Sequence, residues 1–282
     1  MVVRIVTDST ADLPAEVASA LGITVVPLTV FFGDEAYLDG VELDNAEFYV
    51  KMAASKDLPR TSQPSPAAFQ EAFQRLIDEG AEAILSVHLS SKLSGTYQSA
   101  CTARDSLPKE TRKVPIEIID SLTISAGMGY ALQQAATLAR EGKDLAEVKA
   151  ATEDILARSH ILAVLDTLEY VRRGGRIGGA SAMLGNMLSF KPIIGLANGE
   201  VVPIERPRTR GKAYVRVAQL LSERGELEHV SIVQTNDEVG QQLGEAIQGV
   251  YQGELPHYDL GAVIGTHTGP GTAAIAFVTA KK

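Results

Sequence analysis

Short apolar runs alternate with longer amphipathic ones through the first half of the chain, and this rhythm restricts the fold more than any other feature. Val2 to Val6, "AILSVHL" and "PIEIIDS" are apolar runs of strand length. The segments between them read as helices. Asp12 is placed as an N-cap, with Pro14 in the first turn and Gly22 as the stop. Residues 23–32, "ITVVPLTVFF", read as one strand carrying a proline. Asp44 with Glu47 forms a capping box before "AEFYVKMA", and Ser65-Pro66 opens "AAFQEAFQRLIDEG". "SGTYQSACTARDSL" is helical, and two more helices are expected around 124–141 and 144–158. Parallel strands need long crossovers, so strands spaced by helices predict a parallel sheet with both faces covered.

From about residue 158 the pattern changes. "HILAVLD" reads as a strand, and "TLEYVRRGGRIGGASAMLGNMLSF" as helix interrupted by paired glycines. Two apolar runs flank Asn198-Gly199, a strong hairpin signal. A helix at 211–224, the strand "HVSIVQT" and the helix "DEVGQQLGEAIQGVY" follow. The expectation is α/β in two domains. Residues 1–158 would form a parallel-sheet, three-layer α/β/α domain. Residues 159–282 would form a second α/β domain with a mixed sheet, and a ligand would lie between the two.

Composition narrows the function. Apolar residues make up 45% of the 282, so a large core is available, and with aromatics at 5% it must be mostly aliphatic. The net charge of −9 argues against a general nucleic-acid binder, which needs a basic face, and gives no attraction to anionic membranes. Cys101 is the only cysteine, which suits a reducing cytosol. With no signal-peptide pattern and no apolar stretch of membrane-spanning length, a cytoplasmic protein without stable membrane insertion is expected.

Charge is unevenly spread: residues 159–216 hold nine Lys/Arg against four Asp/Glu. Eight of the bases form two groups, Arg172, Arg173 and Arg176, then Arg206, Arg208, Arg210, Lys212 and Arg216. Such groups are more often solvated faces than binding sites.

Near the C-terminus "GTHTGPG" precedes "TAAIAFV". Gly269-x-Gly271-x-x-Ala274 fits a loose dinucleotide pattern, but it leads into a strand, whereas that motif must open a helix. The chain has no P-loop sequence and no G-x-S-x-G elbow. His88, His160, His229, His257 and His267 are scattered singly, without metal-ligand spacing, so no metal site is expected. Hydroxyl clusters remain: Thr61 and Ser62 in "RTSQPSP", and Ser90, Ser91, Ser94 and Thr96 in "LSSKLSGTYQSA". Loops that follow parallel strands gather at one sheet edge, where donors at a helix start favour an anion. The plainer reading is that Thr61 and Ser94 merely cap helices.

The stretches "IVTDSTADLP", "RTSQPSP", "LSSKLSGTYQSA", "IIDSLTISAGMG", "YVRRGGRI", "RTRGKA" and "GTHTGPG", in this order, resemble the DegV family of bacterial fatty-acid-binding proteins. The resemblance covers nearly the whole chain. It implies a carrier, not an enzyme, that binds one long-chain fatty acid between its domains. In systems with a partner fatty-acid kinase, the carboxylate is converted to an acyl phosphate. By motif, Thr61, Ser94 and His267 would hold the carboxylate, with Ser62 and the Gly95 backbone as further contacts. Arg173 and Arg208 match positions linked to kinase docking. Arg172-Arg173 stands where members often show Lys, which keeps the charge.

The physics agrees with this reading. A tail of about 16 carbons gains about 0.8 kcal/mol per buried CH₂. The carboxylate needs donors, because an unpaired buried charge is very costly. "ASAMLGNMLSF" and "ILAVL" are expected tunnel wall. The implied protein needs no cofactor beyond its lipid and is expected to be a monomer. The alternatives are a stand-alone lipid-binding or storage protein, or a hydrolase with Ser94 as nucleophile and His267 as base. For the hydrolase, Asp8 or Asp120 would have to orient the imidazole.

Overall fold

The computed structural model describes residues 1–109, 111–184 and 190–281. The first half runs β1 (Val3–Asp8), α1 (Ala15–Leu21), β2 (Ile23–Val26), β3 (Thr29–Phe32), β4 (Glu35–Leu38), α2 (Asn45–Ala54), β5 (Arg60–Ser62), α3 (Pro66–Asp78), β6 (Ala83–His88), α4 (Thr96–Ser106), β7 (Ile116–Asp120), α5 (Ala126–Arg140) and α6 (Leu145–Ala157). The second runs β8 (Ser159–Val164), α7 (Glu169–Arg173), β9 (Ile193–Ala197), β10 (Glu200–Glu205), α8 (Arg210–Ser222), β11 (Leu227–Gln234), α9 (Asp237–Ile247), β12 (His257–Asp259), α10 (Ala262–Thr268) and β13 (Ala273–Thr279).

The first sheet, ordered β2-β1-β6-β7, is wholly parallel. Phe69, Phe73 and Leu76 of α3 pack on one face together with Ala100 and Ala103 of α4. Leu132 and Ala135 of α5 and Val148 and Ile155 of α6 pack on the other. With both faces covered, every residue of β6 is buried, including Ser86 and His88. These two share a face, as residues two apart in a strand must. His88 satisfies both ring nitrogens there, with Ser86 Oγ 2.7 Å from Nε2 and Asp8 Oδ2 3.0 Å from Nδ1.

The second sheet is mixed, in the order β10-β9-β8-β13-β11-β12, with β11 and β12 parallel and the other pairs antiparallel. Asn198 and Gly199 both adopt positive φ at the β9–β10 turn, as a tight hairpin requires. Along β13, Ile275 and Phe277 face the core beneath α8 and α9, while Ala274 and Ala276 face the other way. All strands of the parallel sheet precede residue 158 and all those of the mixed sheet follow it. Helix α5 touches strands of both sheets. No helix among the described residues is long and apolar enough to cross a membrane.

Two sequence expectations need correction. Residues 23–32 are not one strand. β2 belongs to the parallel sheet, whereas β3 pairs with β4 and β5 in a separate three-stranded antiparallel sheet. Pro27 lies between them and lacks the N–H that a continuing central strand would donate. Nor does Asp12 cap α1, whose N-cap is Pro14. Asp12 adopts a left-handed conformation (φ 49°), and its carboxyl accepts hydrogen bonds from the Ser125 hydroxyl and from the backbone N–H of Gly261, 249 residues away. A long-range partner outweighs the local cap.

Asp39 lies beside Asp12. It is buried and bonded to Ser9 and to the backbone N–H of Ala262. Burial pushes its carboxyl up to about 6, against those hydrogen bonds and with Asp8 adding repulsion. The proton is therefore held more tightly in the folded state than in the unfolded one. Stability falls as pH rises from about 4 through about 6, and above that window the folded state carries the full cost of the buried charge. Asp39→Asn removes this dependence. In urea titrations the variant is expected to gain on the wild type between pH 4.5 and 7. A difference that stays constant across that range would exclude Asp39 as the titrating group.

Candidate functional site

A cavity enclosing about 1060 Å³, its open mouth included, lies between the parallel and mixed sheets. Its wall is mostly aliphatic. Leu93 and Ile124 come from the first half, and Ile161, Ala163, Ala274 and Ala276 from the inner face of the mixed sheet. The small side chains on β13 leave room that Ile275 and Phe277 would fill if the register slipped by one residue. Of the expected wall segments, "ILAVL" contributes Ile161 and Ala163, while Leu162 and Val164 turn to the opposite core. In "ASAMLGNMLSF", Ala180 and Met183 belong to the apolar cluster bordering the cavity, and 185–189 lie outside the described residues.

Thr61, Ser62, Gln63, Ser94, Arg176 and His267 form a polar group at the mouth, whereas the other lining hydroxyls, Thr10, Ser125, Thr268 and Thr272, are bonded within the protein. Thr61 and Ser62 are brought there by β5 of the small sheet, so Thr61 is not a helix cap. Ser65 is the cap, accepting from the Ala68 N–H at 3.2 Å, with Pro66 in the first turn. Ser94 sits just before α4, where its Oγ lies 2.9 Å from Thr96 Oγ1 and accepts from the Thr96 N–H. Part of its role is therefore local. Gly95, the residue at the α4 N-cap, does not itself line the cavity. The Gln63 amide covers it, so closely that a Cβ at Gly95 would fall 2.8 Å from Gln63 Nε2.

His267 comes from the last turn of α10, not from the Gly-Pro-Gly segment after it. The neighbouring hydroxyls are used within that region, because Thr266 Oγ1 donates to Ala262 O and Thr268 Oγ1 to Ile264 O. Gly269 ends the helix at φ 79°, ψ 172°, against the face of Tyr170, where a Cβ would come within 2.2 Å of the ring. His267 Nε2 lies 2.8 Å from Thr61 Oγ1, so residues 206 apart in sequence meet at the mouth. Nδ1 is buried without a hydrogen-bond partner among the described residues. It rests on Gly174, where a Cβ would fall 2.1 Å away. Burial, reinforced by the nearby Arg176 charge, pushes the imidazole down to about 4, so it is neutral near pH 7.

The arrangement does not assemble a Ser-His-Asp relay around His267. Asp8 is held by His88, Thr10 and the Leu89 N–H. Asp120 accepts from the N–H groups of Ser91 and Leu122. Ser90 is also structural, donating to Gly199 O of the β9–β10 turn at 2.8 Å. The chain Ser86–His88–Asp8 has relay connectivity, but all three side chains are fully buried, beneath Phe69.

The model of the DegV family, described as "Uncharacterised protein, DegV family", matches residues 2–280. A DegV domain-containing protein of Halalkalibacterium halodurans is 38% identical, with 99% of each chain covered. The chain belongs to the DegV family. Among solved structures, one describing fatty acid binding of a DegV family protein from Thermus thermophilus superposes with a TM-score of 0.89 at 34% identity, covering 99% of this chain and 100% of that one. DegV of Bacillus subtilis, described as a fatty acid binding protein, gives 0.86 at 31%, covering 99% and 100%. A stearic acid-binding protein from Eubacterium ventriosum gives 0.91 at 25%, covering 98% of each chain.

Two further residues of this DegV chain shape the site and escape a reading of the sequence. Gln63 and Gly174 belong to "TSQPS" and "RRGGRI", but their roles depend on what packs against them. Arg173 and Arg208 lie outside the cavity lining, both exposed. Arg172 and Arg173 share the Glu169 carboxylate, each at 2.6 Å. Among the described residues Arg208 has no ion-pair partner.

Gly174→Ala tests the support under His267. The added methyl is expected to displace the ring, break its contact with Thr61 and lower stability by about 1–3 kcal/mol, the usual cost of overpacking. Urea midpoints and the imidazole resonances of His267 report both effects. An unshifted His267 spectrum would show that Gly174 does not set the ring position.

Proposed function

We propose that this DegV protein is a carrier that binds one long-chain fatty acid between domains 1–158 and 159–282 and presents its carboxylate to a partner fatty-acid kinase. The observation carrying this reading is a largely aliphatic cavity with hydrogen-bonding groups clustered at its mouth and no acidic side chain among its described lining residues. The relatives described as fatty-acid-binding proteins support it. A tail gains about 0.8 kcal/mol per CH₂ along the wall. The head group meets donors that need no desolvated counter-charge.

The neutral imidazole defines how the head is held. When Nε2–H donates to Thr61 Oγ1, the threonine hydroxyl hydrogen is free to donate to a carboxylate oxygen. His267 then acts on the carboxylate through Thr61, while Ser62 at the end of β5 and Ser94 just before α4 approach from the same end, and Gly95 stays covered by the Gln63 amide. This polarity favours binding without strongly stabilising the unreacted carboxylate, which must still accept a phosphoryl group. Arg173 and Arg208, exposed and outside the lining, are left for docking the kinase, which favours a presenting carrier over a storage protein. The carrier works as a cytoplasmic monomer and takes no cofactor. The engagement of Asp8, Asp120 and Ser94 elsewhere weighs against a Ser94/His267 hydrolase.

Native mass spectrometry of the purified protein is expected to show a mass excess matching one fatty acid, lost on denaturation. A protein that stays unliganded after oleate and palmitate are added would defeat the proposal. Turnover of p-nitrophenyl acyl esters abolished by Ser94→Ala would favour the hydrolase. His267→Ala is expected to weaken acyl-phosphate formation with the kinase. Arg173→Ala should spare lipid binding while weakening kinase coupling, and an emptied cavity in that variant would refute the division of roles.

A further inference from the structure

Among the described cavity-lining residues Arg176 is the only charged side chain, yet its hydrogen bonds go to backbone. Its Nε donates to Leu93 O at 3.0 Å and its Nη1 to Gly174 O at 2.7 Å. The two carbonyls belong to different halves of the chain. Leu93 precedes Ser94, and Gly174 is the residue on which the His267 ring rests. One planar guanidinium thus joins the two segments that carry or support the head-group donors. It does so at the exposed rim of the cavity. Two donors at fixed angles make this a fork that a single ammonium cannot reproduce.

We propose that Arg176 is a latch on the mouth of the cavity: its bond to Leu93 O must break for a fatty acid to enter or leave, while the bond to Gly174 O fixes the guanidinium on its own side of the mouth. The proposal rests on the fatty-acid reading above. The latch sets the rate of exchange more than the affinity, because it opposes entry and exit alike. It also holds Ser94 and the Gly174–His267 pair in register while the head group is in place. Other ties between the halves, such as Ser90 Oγ to Gly199 O and Asp12 to the Gly261 N–H, do not involve Arg176, so its replacement leaves the fold joined.

Stopped-flow fluorescence with cis-parinaric acid tests this, following uptake by the full-length protein and release into excess albumin. In Arg176→Gln both rates are expected to rise about tenfold, the effect of losing roughly one charge-assisted hydrogen bond, while Kd shifts by less than about threefold. Arg176→Lys, which keeps the charge and loses the fork, is expected to exchange nearly as fast as Arg176→Gln. Wild-type rates in Arg176→Gln would overturn the latch. So would full recovery by Arg176→Lys, which would assign Arg176 an attraction for the head group, screened by added salt. A Kd weakened tenfold with unchanged uptake would equally overturn it, in favour of direct head-group contact. If the wild type took up no cis-parinaric acid or oleate, the fatty-acid reading would fail first, an outcome distinct from each of these.

Discussion

Helix α10 is gripped at both ends by residues from the other half of the chain, and the polar end of the cavity depends on that grip. At its start, the N–H groups of Gly261 and Ala262 are bonded to Asp12 and Asp39. At its end, His267 meets Thr61. Between the two, Ala262 and Val263 pack in one apolar cluster with Val30, Phe32, Phe48 and Met52 of the small sheet and α2. The three-stranded sheet is thus more than an appendage. It delivers Thr61 and also forms the surface on which α10 rests. The grip requires carboxyl groups to be buried, and Asp12, like Asp39, is pushed up by desolvation.

The cavity separates its two tasks in space. Along the wall, alanines on the inner face of β13 make room while isoleucine and phenylalanine on the outer face build a core. At the mouth, hydroxyls and a neutral imidazole provide polarity, and the Arg176 guanidinium is tied to carbonyls. A free guanidinium turned inward would bind a carboxylate bidentately. Tied as it is, Arg176 keeps charge near the mouth and helps hold the imidazole neutral.

Much of the architecture was legible because it rests on local patterns. Ser65-Pro66, Asn198-Gly199 and Gly22 each specify a cap or turn by their own chemistry, and the structure places each as expected. The spacing of apolar runs is enough to predict a parallel sheet, since no short loop can join parallel strands. The errors fall where a distant partner competes. Asp12 looks like an N-cap until Gly261 and Ser125 are beside it. Pro27 looks like a blemish in a strand until the chain is seen to pass from one sheet to another. The site was legible only as motifs. Thr61, Ser62, Ser94 and His267 meet at one cavity end, but the glycine beneath His267 carried no local signal.

By itself the sequence determined the strand–helix alternation of the parallel sheet, the change of pattern near residue 158 and the family, because these depend on periodicity, turn chemistry and motif order, whereas the small three-stranded sheet and helix α10 escaped it. Only the tertiary structure decided that His267 sits on a helix end and not on the Gly-Pro-Gly turn, that its nitrogens meet Thr61 and Gly174, and that Arg176 bridges two backbone carbonyls. Apart from the Arg176 bond to Gly174 O, these contacts join residues from about 80 to about 200 positions apart. Their partners are chosen by packing, and no local stretch of sequence encodes which distant backbone will lie 3 Å away.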